Sequence, residues 1–139
     1  MKNIVVRNNT FQGTDAGLRF KSAVKRGGKS ENIYIDHIYM TDITGDAITF
    51  ETTYFDNHVG AKQQAAPIKQ EFLPDFQDIH ISNVYVRGCK NGIVAHGAEG
   101  MIHDITIKDC NIFYNKNAKD IDAACKITLE NVNFSTFAK

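Results

Sequence analysis

Five basic side chains fall within eleven residues: Arg19, Lys21, Lys25, Arg26 and Lys29, with no acid among them. An arginine can grip a carboxylate through two parallel N–H bonds, and a lysine adds a compact point charge. The cluster therefore reads as a local anion site suited to carboxylate or sulfate. Taken alone, it reads more readily as a solvated charge run. Arg19 and Lys21 flank Phe20. On an extended chain this puts both cations on the face opposite the phenyl ring.

The acids are eleven Asp and five Glu. A glycosidase needs two carboxylates flanking the bond it cuts, and no adjacent Asp-Asp pair occurs here. Asp120 and Asp122 stand one strand step apart on one face, away from the basic cluster. The other acids read as turn and surface residues. The five histidines (His37, His58, His80, His96, His103) lack short metal-ligand spacing, so no metal site is expected. His96, within Ala95-His96-Gly97, could face the groove of Arg19 two coils away, or be an outward surface histidine. No Gly-rich phosphate loop, Ser-His-Asp arrangement or nucleotide motif stands out, and no cofactor is expected. Three cysteines (Cys89, Cys110, Cys125) without Cys-x-x-Cys read as free and buried.

The 139 residues suit one domain, 1–139, with ordinary globular composition: 42% hydrophobic and 23% charged. Sixteen basic and sixteen acidic side chains cancel. Bulk charge thus gives no reason to expect nucleic acid or an anionic membrane as partner. No apolar run approaches the ~18 residues of a membrane helix. The stretch from Met1 to Asn9 has too short an apolar core for a signal peptide, and localisation stays open.

Sixteen Ile, twelve Asn, ten Gly and two Pro point to many short strands and turns. Five segments align on Ile4, Ile33, Ile79, Ile105 and Ile127. Taking each as offset 0, offsets 0, 2, 5 and 7 are apolar at nineteen of twenty positions, Asn9 being the exception. The alternation slips by one between the two pairs, so a bend must sit near offset 4. That column reads Asn8, His37, Asn83, Asp109, Asn131. These are the non-glycine types that best accept left-handed backbone angles. A third strand follows in four repeats: Leu18/Phe20, Ile48/Phe50, Ile93/Ala95 and Ile121/Ala123.

Repeat starts lie 29, 46, 26 and 22 residues apart. Three short strands per coil predict an all-β parallel β-helix of about five coils. The longest repeat carries an insertion at about 54–77, containing Pro67 and Pro74. It reads as a long loop.

The stretch Gly17-Leu18-Arg19-Phe20-Lys21-Ser22, with Lys25-Arg26-Gly27-Gly28 and Glu31-Asn32-Ile33, resembles glycoside hydrolase family 28, the polygalacturonase-like pectin hydrolases. Arg19-Phe20-Lys21 matches the family's Arg-Ile-Lys motif. The preceding Asn9 to Asp15 resembles the approach to that motif, and Tyr54 falls where the family has a cleft tyrosine. Phe76 to Val84 is also similar to bacterial members. The resemblance implies a right-handed parallel β-helix. It also implies substrate-binding roles for Arg19, Lys21 and Tyr54 toward galacturonate.

The family's catalytic residues lie in Asn-Thr-Asp, Asp-Asp and Gly-His-Gly motifs upstream of Arg-Ile-Lys. None of these appears here, so no catalytic residue is assigned. The resemblance implies a C-terminal portion, truncated at its N-terminal end and inactive alone. A non-catalytic binder of acidic oligosaccharide (galacturonide), or a purely structural solenoid, is the alternative. An uncovered first coil, Asn3 to Phe11, exposes strand edges. A second copy or another chain is expected to cover it, with Phe134 and Phe137 plugging the other end.

Overall fold

A computed structural model of the chain describes residues 1–22, 28–52 and 74–136. Lys25, Arg26 and Tyr54, most of the 54–77 insertion, and Phe137 lie outside the described residues. Among the described residues, eight strands run in order: β1 (Lys2–Gln12), β2 (Leu18–Lys21), β3 (Lys29–Thr41), β4 (Asp46–Glu51), β5 (Asp75–Phe76), β6 (Ile79–His96), β7 (Ile105–Ile121) and β8 (Ile127–Thr136). Every pairing among them is parallel. The molecule is a parallel β-helix.

The repeat read from isoleucine is the physical register. Ile4 pairs with Ile33, Ile33 with Ile79, Ile79 with Ile105, and Ile105 with Ile127. The central rungs bury these side chains fully, with Ile79, Ile81 and Ile107 at 0% exposure. The outer rungs (Ile4, Val6 and Phe11; Ile127, Leu129, Val132 and Phe134) pack against that core half-buried. Each fully buried side chain of this size contributes about 1.5–3 kcal/mol.

The bend column is equally literal. Asn8, His37, Asn83, Asp109 and Asn131 have φ of 57°, 56°, 54°, 55° and 54°. Each interrupts the ladder between two paired stretches and re-aims the chain, so offsets 2 and 5 both face inward. A second left-handed column stands one residue before the isoleucines. It comprises Asn3, Asn32, Asp78 and Asp104, with φ between 52° and 59°.

One expectation needs correction. Ile121 does not continue the column of Ile93. The offset that pairs Ile79 with Ile105 breaks at Cys89, which meets Tyr114, and resumes from Asn91, so Ile93 meets Lys119 and Ile121 meets Ala95. Ala123 lies beyond the strand. Matching apolar with apolar misplaced this segment by two residues, because backbone register outranks side-chain type at the exposed end of β7. Asp75 and Phe76 pair with Lys29 and Ser30, and Phe76 bridges to Ile102, forming a short extra stack. Phe76 is buried edge-on against Phe20 and Phe50, whose own rings stack at 4.7 Å.

Candidate functional site

The third strands form one stack: β2 on β4, β4 on the end of β6, and that on the end of β7. Their inward residues Leu18, Phe20, Ile48, Phe50, Ile93 and Ala95 are buried. Alternation then sets the opposite face. Arg19 lies beside Thr49, Thr49 beside Val94, and Val94 beside Asp120. One step along, Lys21 lies beside Glu51 and Glu51 beside His96. A row of chemically active side chains thus crosses four rungs.

At the β2 end, Arg19, Lys21 and Lys29 share a cavity of about 420 Å³ with Ser22 and Ser30. Among the described residues, none that lines this cavity is an acid. Three members of the basic cluster are therefore brought together by the fold. Arg19 is held from one side: its Nη2 donates to Oε2 of Glu51 at 3.1 Å. A half-exposed pair of this kind adds about 0–1 kcal/mol of stability. Its larger effect is orientation, since a guanidinium has five N–H donors and this bond uses one.

Glu51 escaped the reading of the sequence. It is 32 residues from Arg19, and only the rung register brings it close.

At the β7 end, His96 sits between two carboxylates. Its Nε2 is 3.3 Å from Asp120, and its Nδ1 is 3.2 Å from Asp122. Asp122 also accepts from the backbone N–H of Gly97 at 3.0 Å. The His96 contact, followed by this amide, holds the Asp122 carboxyl below the usual carboxylate range. Asp120 and Asp122 do share one face, as their spacing predicts. The outward histidine is clamped by them and is not a loose surface group.

Between the two ends a second cavity of about 420 Å³ is lined by Thr49, Glu51, His96 and Asp120, with Asp46, Asn91 and Asn117 along its side. Asn91 Nδ2 donates to Asp46 at 2.8 Å, and Asn117 Nδ2 donates to Asn91 at 2.9 Å.

Fold and site together define a parallel β-helix with basic side chains at one end of one strand stack and acidic ones at the other. The model of the glycosyl hydrolases family 28 matches residues 1–130, and the chain belongs to that family. A search of curated proteins returns no match.

Proposed function

We propose that this chain is the acidic-sugar-binding part of a polygalacturonase-like hydrolase, an enzyme that cuts galacturonide linkages with inversion. The observation that carries this reading is the cavity shared by Arg19, Lys21 and Lys29. A galacturonate unit presents one planar carboxylate. Arg19 can meet it with a fork of N–H donors, and the lysines add charge without demanding geometry. Tyr54, which lies outside the described residues, belongs to the same proposed subsite.

Residues 1–139 alone bind without cleaving. Inversion needs a carboxylic acid and a carboxylate about 6.5–9.5 Å apart across the sugar. The acids along this stack are already engaged, Glu51 with Arg19 and Asp120 and Asp122 with His96. Assembly belongs to the same proposal. Among the described residues β1 pairs only with β3, and Val5 is 60% exposed on it. That open edge suits a second copy or another chain.

The test is calorimetric binding of oligogalacturonate, alongside reducing-end release from polygalacturonate. Wild-type binding with no release is expected, and Arg19→Ala should weaken binding at least tenfold. No binding, or binding indifferent to Arg19, would sink the anion-site reading, and release would sink the binding-only reading.

A further inference from the structure

The first strands of the coil present a charged column to solvent. Across five rungs, register places Arg7, Asp36, Ser82, Lys108 and Glu130 side by side. Two residues back on the same outward face stand Val5, Tyr34, His80, Thr106 and Thr128. The charges run plus, minus, neutral, plus, minus. Taken from the other end with every sign inverted, the order is the same.

We propose that this face pairs with the same face of a second copy of the chain, about a two-fold axis that runs along β6 through His80 and Ser82. Such an axis lies along the strands, so it reverses the order of the rungs and sets each column opposite itself. Arg7 then meets Glu130 of the second copy, and Asp36 meets Lys108 of the second copy. Each ion pair occurs twice, with Ser82 facing its own copy at the centre. A two-fold axis along the coil keeps the rung order instead. It sets Arg7 against Val5 and Asp36 against Tyr34, which pairs no charges. The interface is separate from the open β1 edge, and its groove shares no residue with the Arg19 cavity.

Three observations carry this. Val5 and Tyr34 are 60% and 47% exposed, and Tyr34 is already ordered by stacking on His80 at 5.1 Å. Little side-chain freedom is then lost when they are covered. Next, the charges are available. Among the described residues the Arg7, Lys108 and Glu130 side chains make no ion pair or hydrogen bond. Asp36 is fixed by Ser82, Asn83 and His37, yet a carboxylate offers about four acceptor sites. Last, a groove of about 450 Å³ crosses four of the rungs between Val5 and Lys108, with room for a facing row of side chains.

Five rungs at about 4.8 Å and six residues at about 3.3 Å give a patch on the order of 500 Å² per partner. That is the size of a weak, reversible dimer whose charges set its register. An acidic saccharide fits this face less well. Arg7 and Lys108 stand three rungs, roughly 14 Å, apart with Asp36 between them.

Sedimentation equilibrium of the 139-residue chain at neutral pH and low salt tests the pairing. The mass should rise reversibly from 15.6 kDa toward twice that as concentration approaches about 1 mM, where a weak interface is populated. Arg7→Glu sets acid against acid at both copies of one pair and should weaken the dimer about tenfold. Glu130→Arg should do the same. The two together restore the order and should return the affinity to within about threefold of wild type. Both positions are exposed, and matching urea midpoints verify that each variant folds.

A mass of one chain throughout the range overturns the proposal. So does association that ignores the single reversals, which assigns it to the β1 edge, or a double variant no better than either single one. One-to-one oligogalacturonate binding by a monomeric chain, lost in Arg7→Glu, gives the face to a saccharide and overturns it as well.

Discussion

Replacing Asn83 tests why the coil turns where it does. Asn83 holds φ at 54° and also donates from Nδ2 to Asp36 at 2.8 Å. Asn83→Gly and Asn83→Ala both remove that hydrogen bond. They differ in the backbone: alanine in a left-handed conformation costs about 1–2 kcal/mol, whereas glycine enters it freely. Glycine gives back roughly 0.5–1 kcal/mol through its greater freedom when unfolded. The net expectation is Asn83→Gly more stable than Asn83→Ala by about 1 kcal/mol. Wild type should exceed Asn83→Gly by about another 1 kcal/mol, because the lost partner is a partly exposed carboxylate. Urea unfolding followed by far-UV circular dichroism reads both gaps as midpoint shifts at constant m. If Asn83→Ala matches or exceeds Asn83→Gly, the bend column does not act through backbone conformation, and the account of how both strand pairs face one core is wrong.

Other outcomes follow from the same geometry. Thr49→Val should raise stability by about 1 kcal/mol, since it removes a buried hydroxyl with no partner; a loss of stability on urea titration would show that the hydroxyl is satisfied after all. Asp36 is held at about pKa 2 by hydrogen bonds from Asn83, His37 and Ser82, below an unfolded value of about 3.9. Its contribution is therefore complete above about pH 4 and is lost as pH falls toward 2. The midpoint gap between wild type and Asp36→Asn should be full at pH 5 and shrink by pH 2.5; a gap independent of pH refutes this. Burial pushes the Cys89 thiol up to about 12 and Cys110 to about 11. Neither should react with a disulfide reagent at pH 8 until urea unfolds the chain, and rapid native labelling would contradict the buried placement.

Most of the scaffold could be read from residue types, because each rung repeats the same physical demands. An isoleucine every second residue faces the core, and an Asn, Asp or His marks the place where that alternation must slip. The second left-handed column was visible in kind, since Asn or Asp precedes Ile4, Ile33, Ile79 and Ile105. Lys126 breaks it before Ile127, and starting each repeat at isoleucine hid the rest. The Lys119 pairing was lost for a different reason: an exposed strand end tolerates a polar residue in an inward column. At the site, Arg19 and Lys21 announced themselves by charge. Glu51 and Thr49 did not, because an outward acid and an outward threonine look like ordinary surface. Only rung register puts one beside a guanidinium and seals the other beneath its neighbours.

The register is also indifferent to what happens between Thr52 and Pro74. β4 stays matched to β6 from Asp46 with Asn91 to Glu51 with His96, while Asp75 rejoins the stack at Lys29. Coil geometry is set at the corners and ladders, not by the number of residues spent between them. That makes this junction a graft point. A foreign segment spliced there faces one geometric demand, that its ends leave after Thr52 and return before Asp75, and added length costs little entropy. Since the junction opens from the strand that carries Thr49 and Glu51, a grafted segment starts beside that strand stack while the rungs beneath stay untouched.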